Sequence, residues 1–119
     1  MKKTTLLLSL LALFSFTSLA QEDISGTWIF NVQTDMGGGN PVFIIEQDDS
    51  GRLTGTYKGA LGEAPIEGAI EEDGSVNIAF SVQGNPIKYI GKLEEGKIVG
   101  KVDLAGMANG TFVGERKEE

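Results

Sequence analysis

The chain has 119 residues, with 10 Lys and Arg against 17 Asp and Glu, a formal net charge of -7, 17 Gly, one Trp and neither Cys nor His. Without Cys there are no disulfides, thiolate metal sites or thiol nucleophiles, and without His there are no imidazole bases and few routes to a zinc site. The acidic balance argues against a nucleic-acid or anionic-membrane partner.

Residues 1–20 read as a cleaved secretory signal peptide. Lys2 and Lys3 supply a positive start, Leu6 to Phe16 an apolar run of eleven residues broken only by Ser9 and Ser15, and Ser18 and Ala20 the small residues before a cut at Gln21. The run is shorter than the ~20 apolar residues that span a bilayer, and no Cys stands at the cut to carry a lipid. The chain is therefore expected to be exported, to a periplasm or to the extracellular space, with no integral membrane segment after cleavage. Residues 21–119 are then a single small domain with 8 basic and 17 acidic groups. A small exported domain without disulfides must be held by its core or by closing its sheet.

Along that domain apolar residues recur at every second position, the strand period, and no stretch shows the helical one. The first strand places Trp28, Phe30 and Val32 on one face, and the second is the apolar run Val42 to Ile45. Then follow Leu53, Gly55 and Tyr57; Ile66, Gly68 and Ile70; and Val76, Ile78, Phe80 and Val82. The last three are Ile87, Tyr89, Gly91 and Leu93; Ile98, Gly100, Val102 and Leu104; and Phe112, Gly114 and Arg116, eight strands in all. Three connections are tight, acidic and Gly-terminated: Asp48 to Gly51, Glu72 to Gly74 and Glu94 to Gly96. Four are looser: Met36 to Asn40, Gly59 to Ala64, Gln83 to Asn85 and Ala105 to Asn109. Pro41, Pro65 and Pro86 are each expected as the first residue of the next strand, where a missing N–H is tolerated.

In an up-and-down meander, successive turns fall at opposite ends, so the acidic turns share one end with both termini and the looser loops share the other. The expected fold is all-β, a small eight-stranded antiparallel up-and-down barrel, because closure leaves no raw edge; an open or flattened sandwich is the alternative. Gly55, Gly68, Gly91, Gly100 and Gly114 fall on the inner face. They either relieve crowding where strands bend or leave room for a guest.

Gly26-Thr27-Trp28 on the first strand resembles the Gly-x-Trp motif of lipocalin-like (calycin) barrels. In that family an Arg on or after the last strand packs over the Trp at the closed end, and Arg116 stands at that place. Leu53 to Tyr57 is similar to avidin-type barrels. Leu61 to Pro65 and Gly110 to Arg116 also resemble stretches of short exported bacterial proteins. The resemblance implies a barrel with a closed base at Trp28 and Arg116 and an open end that can take a small molecule. The chain is shorter than typical lipocalins and lacks their C-terminal helix and disulfide.

The candidate chemistry is sparse. Trp28 and Arg116 are expected to be a structural stack closing the barrel rather than a binding pair. Seven carboxylates, Asp48, Asp49, Glu71, Glu72, Asp73, Glu94 and Glu95, crowd the tight-turn end, but without the alternating spacing of a Ca²⁺ loop they read as solvated turns. The looser end carries Met36, the triplet Gly37 to Gly39, Leu61, Met107 and Ala108, which suit either an adaptable apolar mouth or plain surface loops. The triplet is not a phosphate loop, since no Lys-Ser/Thr follows. Glu63, alone in an apolar stretch, is a polar anchor at most, because a lone carboxylate is poor evidence for catalysis. Tyr57 and Tyr89 offer hydroxyls to a guest or are satisfied core residues. No catalytic residue, metal or cofactor is assigned, and no enzyme is expected.

Two functions follow. In one, the module binds a small apolar or amphipathic molecule through Met36, Tyr57, Leu61, Glu63, Tyr89 and Met107, with quenching of Trp28 as its signature. In the other, a filled barrel acts through its surface as an inhibitor or accessory domain.

Overall fold

The structure, a computed structural model, describes residues 22–117. The signal peptide expected over residues 1–20 lies outside the described residues. Among the described residues there is no helix, and none therefore that is long and apolar enough to cross a membrane.

The elements are β1 (Gly26–Thr34), β2 (Gly37–Gly39), β3 (Val42–Gln47), β4 (Arg52–Gly59), β5 (Gly62–Ile70), β6 (Ser75–Val82), β7 (Asn85–Glu94), β8 (Lys97–Leu104) and β9 (Ala108–Arg116). Each pairs antiparallel with its neighbour from β3 to β9, and β9 returns to β1 through seven paired positions, from Trp28 opposite Arg116 to Thr34 opposite Gly110. The sheet is thus a closed up-and-down barrel. The ninth segment does not add a stave. Ile29 faces Val42 and Val32 faces Gly39 in one unbroken register, so β2 and β3 are one strand interrupted at Asn40-Pro41. The interruption is pinned by the Phe30 N–H, which donates to the Pro41 carbonyl at 3.0 Å.

The alternation read in the sequence is the inside-outside alternation of the wall. Trp28, Phe30 and Val32 are buried while Ile29 and Asn31 between them face outward, and the same holds on β6, where Val76, Ile78, Phe80 and Val82 point inward. The middle of the barrel is filled by six rings, those of Phe30, Phe43, Tyr57, Phe80, Tyr89 and Phe112. Their centroids stand 4.4 to 6.2 Å apart in stacked and edge-on contacts, spacings at which aromatic pairs attract beyond their area burial.

The inner glycines serve this crowding rather than a guest. Gly91 and Gly100 face each other on β7 and β8, and a Cβ on either would strike the neighbouring strand's backbone. On β9, Gly114 lies opposite Phe30, and a Cβ there would sit 2.5 Å from the Phe30 ring.

The strands run further into the looser loops than the sequence suggests. The Gln83-Gly84 and Glu95-Gly96 links are two-residue turns in which both residues have positive φ, 53° and 81° in the first and 52° and 82° in the second. That is the turn whose twist matches a hairpin. Ala105 to Met107 and Ala60-Leu61 are likewise short. Only the first connection is extended, and it carries β2.

The prolines need a correction too. Pro41 precedes β3, Pro86 is the second residue of β7 and Pro65 stands well inside β5. Pro65 is tolerated there because β5 pairs along its length with β4 but joins β6 only from Glu67 onward, opposite Ala79. Residues 62–66 of β5 and 80–82 of β6 flank a seam in the wall, a stretch that withholds no needed donor. The Gln83 side chain spans its outer end, donating to the Leu61 carbonyl at 2.8 Å.

Candidate functional site

The two ends of the barrel differ in chemistry. At the acidic-turn end the chain before β1 folds across the opening. Ile24 is fully buried there, its N–H donating to the Gln47 side chain at 2.8 Å. The buried Trp28 indole donates to the Ile24 carbonyl at 2.9 Å. The Arg116 guanidinium lies 4.8 Å from the Trp28 ring centroid and donates to the carbonyls of Ser25 at 2.6 Å and Asp23 at 3.2 Å. The cation therefore ties the strap to the last strand while covering the indole face. This base is closed by three parts: Trp28, Arg116 and the strap residue Ile24. The last carries no periodic signal, and the sequence reading missed it.

The acidic turns around this base use their carboxylates locally. Asp48 accepts from the N–H groups of Arg52 and Ser50 and from the Ser50 hydroxyl, at 2.9, 2.9 and 2.8 Å. These bonds, the Arg52 N–H foremost, hold its carboxyl below the usual range. Asp73 is held down in the same way by the Ser75 N–H. Among the described residues no three acidic side chains converge on a common point.

The opposite end holds a cavity of about 380 Å³, open to solvent, within the range of small-ligand sites. Its floor is formed by Tyr57 and Tyr89, with Ile87 and Val32 on the walls and Leu61, Leu104, Met36 and Met107 toward the rim. The Gly37 to Gly39 triplet and Ala108 complete the lining. The Tyr57 and Tyr89 rings are held by the aromatic layer beneath, so the floor is rigid, whereas Met36 and Met107 are 75% and 65% exposed and free to adapt.

Five of the six residues named from sequence, Met36, Tyr57, Leu61, Tyr89 and Met107, thus meet at one cavity. Glu63 does not. It stands exposed on the outer face of β5, opposite Lys58, because strand alternation turns it away from the interior when Ala64 and Ile66 point in. Sequence reasoning missed Ile87, Leu104, Val32 and Asn85 as parts of the lining. The last turn of each inner-face pattern was the available signal.

Burial pushes both tyrosines' phenol pKa values upward. For Tyr89 the charge on Tyr57 adds to burial. For Tyr57 the neighbouring Leu61 N–H offsets part of the rise. Both are neutral phenols at ordinary pH. Tyr89 is 3% exposed as a residue, and its hydroxyl, which bonds to no group among the described residues, is open to the cavity, because no buried polar side-chain atom there lacks a partner. Comparison with protein-family models and with curated proteins finds no match, so the reading of the site rests on its geometry.

Proposed function

We propose that the protein is an exported, non-enzymatic barrel of the lipocalin-like (calycin) kind that binds a small apolar or amphipathic molecule at the mouth floored by Tyr57 and Tyr89. The observation that carries this reading is the division of the molecule. The base is stoppered, the middle is filled with rings, and the rim end keeps an apolar cavity of about 380 Å³ bordered by exposed methionines. Burial of a guest's apolar surface there, at ~25 cal/mol/Å², supplies the driving force. The Gly26 to Trp28 start and the Arg116 stack support the calycin assignment. The apolar run and small residues of positions 1–20 support export.

The test is fluorescence titration with diphenylhexatriene, an uncharged hydrocarbon that emits on entering an apolar site. Saturable binding at one site, weakened at least tenfold by Leu61→Asp and unaffected by Ile90→Asp on the outer wall, is the expected result. Both positions are exposed, so neither change threatens the fold. Failure to saturate, or equal loss in both variants, rejects the mouth.

A surface-acting barrel is the second reading. Its support is an outward aliphatic band: Val42 faces Ile29 on β3 and β1, and Val113 faces Val99 on β9 and β8. Loss of diphenylhexatriene binding in Val113→Asp, with the Leu61→Asp variant unaffected, favours that reading.

A further inference from the structure

The mouth differs from the rest of the surface in what it omits. Charged residues make up 23% of the chain, yet no Asp, Glu, Lys or Arg lines the cavity. A carboxylate or ammonium entering it would shed water without meeting a countercharge, and an uncompensated buried charge is strongly disfavoured. The overall negative charge disfavours an anion further. Thr34, Asn40 and Asn85 also line the cavity, and the polar groups of the tyrosine floor itself are two phenol hydroxyls. The Tyr89 hydroxyl makes no hydrogen bond within the described residues, and since no buried polar atom there lacks a partner, it is open to the cavity it lines, where a phenol's proton seeks an acceptor. Tyr57 lines the same cavity, and as a neutral phenol it too carries a proton to donate. Two donors over an apolar floor match the two lone pairs of one carbonyl oxygen.

We infer that the mouth selects uncharged apolar molecules bearing a carbonyl oxygen, a ketone, ester or lactone, with the Tyr89 and Tyr57 hydroxyls donating to that oxygen. This rests on the proposed ligand mouth and narrows it to a chemical class. An apolar guest without an acceptor leaves the Tyr89 proton unused. A carbonyl satisfies it, and a group left unpaired in a buried site is where discrimination between close analogues is greatest.

The experiment is displacement of bound diphenylhexatriene by three competitors of similar chain length: methyl nonyl ketone, decanoate and decylammonium, at neutral pH. The ketone is expected to displace at a concentration at least tenfold below either ion. Tyr89→Phe keeps the ring and its packing and removes a hydroxyl that bonds to nothing in the protein, so the variant folds. It is expected to weaken the ketone about three- to tenfold more than it weakens diphenylhexatriene. Decanoate or decylammonium competing as well as the ketone overturns the inference, as does a ketone affinity indifferent to Tyr89→Phe; in either case the hydrocarbon's binding leaves the mouth itself standing. No saturable binding of diphenylhexatriene overturns both.

Discussion

Arg116 is exposed at the barrel's base, yet it joins the strap to the last strand through two carbonyls and the face of Trp28. Arg116→Lys keeps the charge and loses the flat stack and the paired donors, and we expect a loss of about 1 kcal/mol in urea unfolding. Trp28→Ala removes a fully buried indole and is expected to cost about 3–5 kcal/mol; a variant that unfolds at the wild-type urea concentration would contradict the stopper role. The phenols give a pH signature. Their folded pKa values lie above the unfolded value of 10.0. Folding therefore opposes their ionisation, and the stability they confer is complete below that pH and drains away as pH climbs beyond it. Thermal unfolding followed into the alkaline range is expected to show a falling melting temperature, and a shallower fall in Tyr89→Phe. Trp28 and Arg116 were legible from a short motif and a late cation. Ile24 was not, because a strap has no period and its burial is decided by what it lies across.

The strands were legible because each had to hide alternate side chains, and that requirement writes itself into every second residue. Their ends were not. Gln83, Glu95 and Ala105 adopt positive φ without being Gly, so the turns they form are tighter than their composition advertises. Glu95→Asn places a residue that tolerates this conformation in the same turn, and we expect about 0.5–1 kcal/mol of added stability by thermal unfolding. Gly114→Ala drives a Cβ into the Phe30 ring and is expected to cost about 1–3 kcal/mol by overpacking. The seam was also hidden, since nothing in Pro65 says on which side its strand lacks a partner. Backbone amides of residues 62–66 and 80–82 are expected to exchange with solvent faster than those of β7 and β8, which are paired on both sides. Equal protection throughout would show the seam to be closed in solution.

At the scale of the whole molecule, closure between β1 and β9 makes the first and last strands neighbours, so no edge remains there from which to fray. One aromatic layer touches strands from every quarter of the wall. Unfolding by urea is accordingly expected to be a single transition, with far-ultraviolet and aromatic circular dichroism coincident. The eight-strand topology could be inferred because meander connections are short and alternate in kind. Whether the inside was hollow could not, since that depends on how six rings share a volume, which no linear pattern records.

The lone indole sits beneath the ring layer at the pole farthest from the methionines. The indole's own emission therefore reports on the base by contact: it dims or shifts when the strap peels from the last strand, and a guest at the rim whose absorption does not overlap it leaves it constant. Quenching of that emission, the signature expected from sequence, would then have to come from energy transfer across the ring layer to an absorbing guest, not from contact. A reporter for occupancy has to be installed at the other pole or carried in by the guest.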